Sequence, residues 1–266
     1  MKATPREAAT LVLMRERAPG PPEVLMVQRH AKDVFAAGAF VFPGGVLEEA
    51  DCAPGSVALS ERLSAAEAHR RLGSAEPPER ALGYFLAALR ETFEEVGVLL
   101  ARTAAGEPWR PAPEEAPALR ETRKALREGR IDFGQWLRGR ALRPATDALV
   151  YFAHWITPEG RPMRFDTRFF LARAEPDLPV EPDQEEIVAC RWITPAAALA
   201  AYHDQSMRMV NATARNLELL ARFASTDAAL QGLKSLDVRP IRPKLVPQPE
   251  GGFRIVHPWD PEYDAI

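Results

Sequence analysis

The chain has 266 residues, with 34 Lys and Arg against 37 Asp and Glu, a formal net charge of −3, and 46% hydrophobic residues. That composition excludes wholesale disorder and gives enough apolar side chains for a core. The near-neutral balance offers no basic excess to displace counterions, so no nucleic-acid partner is expected. No run reaches the roughly 18 apolar residues of a membrane-spanning helix, so no membrane partner is expected either.

Ala8–Met14 and Val24–Gln28 read as strands around the turn-rich Ala18-Pro19-Gly20-Pro21-Pro22, a hairpin pattern. Phe40–Phe42 is short and extended and stops at Pro43-Gly44-Gly45. Ser60–Leu72 has helix-former composition, with Ser60 placed to cap it. Glu79–Leu100 is the strongest helix: Leu82, Phe85, Leu86 and Leu89 recur at helical spacing. Glu114–Gly129 and Phe133–Leu142 predict two more helices. Leu149–Ile156, Arg168–Ala172 and Ile187–Ile193 read as strands, and Pro195–Tyr202 and Asn211–Ala224 as helices. The last 25 residues form an irregular, Pro-rich tail with one strand at Phe253–Val256. The expectation is one mixed α/β domain over residues 1–266, with residues 226–266 as a Pro-rich extension. The N-terminal stretch lacks the pattern of a secretory signal, and Cys52 and Cys190 lack metal spacing. A cytoplasmic protein with reduced thiols is expected.

The chemistry concentrates in Arg90-Glu91-Thr92-Phe93-Glu94-Glu95-Val96-Gly97. Glu91, Glu94 and Glu95 stand at i, i+3 and i+4, so their carboxylates share one helical face and repel. They also lie near the helix C-terminus, where the macrodipole disfavours anions. Stability does not ask for this arrangement, whereas Mg²⁺ or Mn²⁺ with oxygen ligands would relieve it. A solvated acidic face is the plainer reading of the three glutamates alone. Phe42-Pro43-Gly44-Gly45 lets backbone approach a ligand closely, or is simply a tight turn.

Together these two segments resemble the Nudix hydrolase signature, G-x5-E-x7-R-E-U-x-E-E-x-G-U, with U bulky and apolar. Arg90, Glu91, Glu94, Glu95, Gly97 and Val98 match its second half, with Thr92 at an apolar position. Gly45 and Asp51 match the first half, with Asp in place of Glu, but 38 residues separate Asp51 from Arg90. This split box resembles a subgroup that includes the animal peroxisomal coenzyme A diphosphatase and its bacterial relatives. Arg29, Gly38 and Phe42-Pro43-Gly44-Gly45 keep the spacing of the Nudix coenzyme A signature, and Val34 replaces its internal Arg.

The resemblance implies a Nudix α/β/α sandwich, here with a helical insertion at residues 52–82 and additional helices. It implies Glu91, Glu94, Glu95 and the Gly44 carbonyl as metal ligands, with Arg90 orienting the carboxylates. Glu94, Arg90 and Glu186 carry catalysis in this reading, Glu186 as general base. Arg29, Phe42, Gly45, Arg164 and Arg168 are the candidate substrate contacts, the last two for a 3′-phosphate. The expected function is metal-dependent cleavage of coenzyme A or acyl-coenzyme A to 3′,5′-ADP and (acyl-)4′-phosphopantetheine. Cleavage of another nucleoside diphosphate derivative, such as ADP-ribose or a dinucleotide, stays open, as does a non-catalytic nucleotide-binding module. Homodimers are common in the family, which leaves a homodimer open.

Overall fold

The computed structural model describes residues 3–17, 19–73 and 75–266. The chain begins with strands β1 (Arg6–Arg15), β2 (Glu23–Arg29), β3 (Phe40–Val41) and β4 (Gly44–Val46). Helices α1 (Glu49–Cys52), α2 (Pro54–Val57), α3 (Ala65–Leu72) and α4 (Pro78–Val96) follow. Then come β5 (Ala101–Arg102), α5 (Ala116–Arg127), α6 (Phe133–Gly139) and β6 (Arg143–Pro144). Strands β7 (Val150–Ile156), β8 (Phe165–Arg173) and β9 (Ile187–Ile193) precede helices α7 (Pro195–His203), α8 (Asn211–Leu220) and α9 (Thr226–Lys234). Strands β10 (Pro240–Ile241), β11 (Lys244–Pro247) and β12 (Phe253–Val256) complete the order.

β1 is the spine of the mixed sheet, running parallel to β8 from Arg6–Phe165 to Met14–Arg173. Its Leu11, Val12, Leu13 and Met14 are all fully buried. Successive side chains alternate faces, so Ala9, Leu11 and Leu13 pack on the α4 side while Val12 and Met14 pack on the side of α8 and α9. A strand covered on both faces reads as an unbroken apolar run. The result is a helix–sheet–helix sandwich.

β1 and β2 form the expected hairpin but pair only at Met14–Val24 and Arg15–Glu23. Beyond that they part, and the segment 40–46 enters the fork. β3 pairs with β2 at Val27–Val41 and Gln28–Phe40. β4 pairs with β1 at Ala8–Val46, Ala9–Gly45 and Thr10–Gly44. Pro43-Gly44-Gly45 is therefore no terminating turn: the glycines are ladder residues. Glycine is needed here because a β-carbon on Gly44 would lie 2.4 Å from the Ala9 carbonyl oxygen and 2.6 Å from the Thr10 Cα.

Other boundaries shift for identifiable reasons. Helix α3 begins after Ser64, whose side chain accepts from the Glu67 N–H, while Ser60 Oγ bonds the Leu63 carbonyl and Thr146. Helix α4 stops at Gly97, which adopts a left-handed φ of 73°, short of Leu100. The expected 226–266 extension holds a helix and three strands, two of them, β11 and β12, within the last 25 residues. Ala229 and Leu233 of α9 are buried in the second core, β10 runs parallel to β7 at the sheet edge, and β11 pairs with β12. Within the 52–82 stretch, α3 lies on α4 and buries Ala68 and Leu72. No helix among the described residues is long and apolar enough to cross a membrane.

Gly44→Ala is expected to destabilise the fold by about 1–3 kcal/mol or more in chemical denaturation, because β1 backbone blocks the new methyl. Gly139→Ala, with nothing within 4 Å of the added carbon, is the matched control and should stay within about 0.5 kcal/mol.

Candidate active site

The last two turns of α4 carry the acidic motif into the fork of the sheet. Arg90, only 4% exposed, is its hub. Its Nε and Nη2 each donate to Asp51 at 3.0 Å, Nη2 donates to the Val46 carbonyl at 2.8 Å, and Nη1 donates to Glu91 at 3.1 Å and Glu94 at 3.3 Å. The bidentate pair with Asp51 closes the long sequence gap in space, and Asp serves where Glu is usual. Thr92 fits the buried face because its hydroxyl donates to the Ala88 carbonyl at 2.7 Å.

The glycine strand meets the same helix. Gly44 N–H donates to Glu95 Oε2 at 2.9 Å. A β-carbon on Gly45 would sit 2.5 Å from the Glu91 carboxylate, so the missing side chain is the space that this carboxylate uses. The carboxylates are crowded and largely dry. Burial is the chief cause in each case: it pushes Glu91 up to about 7 and Glu94 up to about 8, against partial relief from Arg90. Glu95 is raised well above the carboxylate range by burial and then by Glu91, with the Gly44 N–H and Arg29 acting the other way. The charge of the exposed Glu186 adds to the repulsion on both Glu91 and Glu95.

The loop that carries Glu186 is anchored to the end of α4. Glu181 N–H donates to the Val96 carbonyl and Asp183 N–H to the Glu95 carbonyl, both at 3.0 Å. Asp183 Oδ1 accepts the backbone N–H groups of Glu185, Glu186 and Ile187. Gln184 between them holds a left-handed φ of 66°. From α5, buried Arg123 donates to the carbonyls of Glu94 (3.0 Å), Glu95 (2.9 Å) and Glu181 (2.8 Å), and Arg127 adds a second bond to the Glu94 carbonyl at 3.0 Å. The two glutamate carbonyls are helix-terminal and lack intrahelical partners, and cations belong at that end of the dipole.

The family profile described as NUDT19 Nudix domain matches residues 60–218. The chain belongs to the NUDT19 Nudix family. It is 31% identical to the acyl-coenzyme A diphosphatase NUDT19 of Gallus gallus, over 85% of this chain and 73% of that protein. The human protein of the same name is 30% identical, over 83% of this chain and 69% of the relative. The crystal structure of a Nudix hydrolase from Alicyclobacillus acidocaldarius superposes with a TM-score of 0.65 at 28% identity, over 86% of this chain and 96% of that one. The sandwich is a Nudix fold and the chain a Nudix hydrolase.

Not every expected contact joins this Nudix site. The charge of Arg29, at the end of β2, draws down Glu95, and its Nε lies 3.0 Å from Asp33 Oδ2. The Phe42 side chain is 3% exposed in the core with Val12, Met14 and Trp155, which corrects its assignment as a substrate contact. Arg164 donates to the Thr157 carbonyl at 3.0 Å and the Ala3 carbonyl at 2.8 Å, tying the β7–β8 connection to the segment ahead of β1. Arg168 is buried, bonded to Asp166 and Glu76, with its guanidinium 4.2 Å over the Tyr84 ring. Both arginines are consumed inside the protein rather than offered to a 3′-phosphate. Arg123, Arg127 and Asp183 are not singled out by the sequence pattern. The one available signal is that Arg123 lies in the apolar stripe of Leu119 and Leu126 on α5.

Arg123→Met should cost about 2–4 kcal/mol in denaturant unfolding, with Arg123→Lys recovering only part, since one ammonium cannot span three carbonyls. The acidic cluster predicts a pH effect of opposite sign to ordinary salt-bridged acids. Glu91 and Glu94 bind protons more tightly in the folded chain than at their ordinary value of 4.5. Their contribution to stability is complete below that value and is lost as pH rises through about 7 and 8. The loss is about 1.4 kcal/mol for each pH unit over which one such carboxyl keeps its proton only when folded. In buffer without divalent cations, Tm should therefore fall between about pH 5 and pH 9, and Glu94→Gln should flatten that fall.

Proposed function

We propose that this Nudix hydrolase cleaves the diphosphate of coenzyme A or acyl-coenzyme A with Mg²⁺ or Mn²⁺, releasing 3′,5′-ADP and 4′-phosphopantetheine or its acylated form. The observation that carries this reading is the seating of Gly44 and Gly45 against the buried Glu91 and Glu95, in a chain 31% identical to an acyl-coenzyme A diphosphatase. Among the described residues, no three His, Cys, Asp or Glu side chains are already gathered at ligand spacing. The donor set nevertheless fits a hard divalent cation: three carboxylates are held up by burial and by one another, with negative charge in excess of Arg90.

In this reading Glu91, Glu94, Glu95 and the Gly44 carbonyl hold the ion. When bound, it would polarise the phosphoryl oxygens and ease ionisation of the attacking water. Arg90 fixes the Glu91 and Glu94 carboxylates and pins Asp51, so the cluster is preorganised. Glu186 accepts a proton from the water as general base. Arg29 meets a diphosphate oxygen. Both thiols being free, Cys52 and Cys190 are compatible with the cytoplasm, where we place the protein.

A second reading has its own support. Because Arg164 and Arg168 are occupied by internal partners, a substrate without a 3′-phosphate, such as ADP-ribose or a dinucleotide, loses nothing there.

Mass-resolved product analysis with coenzyme A and ADP-ribose in parallel separates the two. A higher kcat/KM for coenzyme A, giving 3′,5′-ADP, supports the first reading, and the reverse ranking supports the second. Turnover should stop with EDTA and return with Mg²⁺ or Mn²⁺. Glu94→Gln should lower kcat by about 10²-fold or more while the protein stays folded. Near wild-type turnover in that variant would remove the role given to the carboxylates.

A further inference from the structure

Beside the carboxylates lies a cleft of about 640 Å³ with a split character. One end is formed by Glu48, Asp51, Arg90 and Glu94. The remainder draws on α4, the α1–α2 segment and the α5–α6 connection; its apolar part is Leu59, Leu86, Leu126, Phe133, Trp136 and Leu137, with Arg130, Asp132 and Gln135 among the polar residues. The far wall is stiffened by stacking: Trp136 lies 5.0 Å from Phe93 and 6.3 Å from Phe133, ring centroid to centroid. The volume falls within the usual range for small-molecule sites, which are mostly apolar with a few polar groups at one end.

The charges of the lining discriminate between the two halves of the proposed substrate. Glu48, Asp51, Glu94 and Asp132 are acidic. Of the two cations in the lining, the buried Arg90 is taken by Asp51, Glu91 and Glu94, and the exposed Arg130 pairs with Glu128, so acids outnumber cations there. A phosphorylated adenosine would meet repulsion here. The other half of coenzyme A is a neutral chain, with a dimethyl-substituted carbon one methylene from the phosphate ester oxygen and amides further along. It asks for apolar walls and a few hydrogen-bond partners, which is what the cleft offers.

We infer that this cleft is the pantetheine subsite, directing the neutral arm along α4 while the diphosphate lies at the carboxylates. The inference rests on the coenzyme A reading above. It makes the α5–α6 connection and the α1–α2 turn the determinants of what can be attached to the diphosphate. Ala50, half-buried on the α1 wall, and Gln135, exposed on the α6 wall, are the positions where added bulk enters the cleft from opposite sides.

The test uses the full chain with Mn²⁺ and two fillers, Ala50→Phe and Gln135→Trp. Each is assayed for coenzyme A turnover and for inhibition by 3′,5′-ADP, which lacks the arm. The expected result is a KM for coenzyme A raised about tenfold or more, with the inhibition constant of 3′,5′-ADP within about twofold of wild type. An unchanged KM in both fillers overturns the assignment. So does an inhibition constant that rises in step with KM, because the cleft would then not distinguish the arm. The wild-type reaction is scored separately: if it leaves coenzyme A intact, the substrate reading itself has failed, and the variants are not what decides it.

Discussion

Concentrating negative charge at the end of a helix, in a place with little water, is the constraint around which this molecule is arranged. Glu91, Glu94 and Glu95 repel one another, the α4 dipole repels them all, and burial penalises each ionised form. What holds them is a set of donors from other elements. Arg90 sits among the carboxylates, Gly44 N–H meets Glu95, and Arg123 and Arg127 neutralise the helix terminus by binding its free carbonyls. Removing any of these leaves a buried charge or carbonyl short of a partner, which costs more than the bond itself contributes.

The fork in the sheet follows from the same requirement. Had β1 and β2 paired along their whole length, no backbone N–H would be left to face Glu95. Their divergence after two pairs admits the 40–46 segment, and glycine at 44 and 45 lets that segment lie between the β1 backbone and the Glu91 carboxylate. The insertion within the box is tolerated because its two ends are held in the fold. Asp51 is bonded to Arg90 on one side of the excursion, and α3 packs back on α4 before that helix begins. A chain excursion between fixed ends adds a slowly growing entropic cost, so its length matters little to the site.

Much of this is legible in the residues. β9 is bounded as its apolar pattern predicts, β1 and α4 nearly so, and the spacing of Arg90, Glu91, Glu94 and Glu95 places them on one turn. The parts that are not legible depend on partners remote in sequence. Gly44-Gly45 has the composition of a turn, and only the diverging strands make it a strand. Ser60 and Ser64 are both competent caps, and the choice falls to Ser64 because Ser60 is drawn to Leu63 and Thr146. α9 lies among the proline-rich segments, and its helical state is fixed by burial of Ala229 and Leu233 rather than by local pattern. Arg168 reads as a free strand arginine, yet Glu76 from the insertion and Tyr84 from α4 enclose it.

Those enclosed arginines bear on selectivity. Substrate recognition by charge would need guanidinium groups left facing solvent near the cluster, whereas Arg90, Arg123, Arg164 and Arg168 all bond to acidic side chains or backbone carbonyls. Their work is internal cohesion. In the coenzyme A reading proposed above, discrimination between diphosphate compounds falls to what flanks the cluster: Arg29, whose charge acts on Glu95, and the apolar flank of α4 beyond Glu94. A hydrophobic surface distinguishes a pantetheine arm from a ribose by the water it releases on burial. In the same reading an acyl extension adds little penalty, because a longer apolar chain asks for more of the same contact.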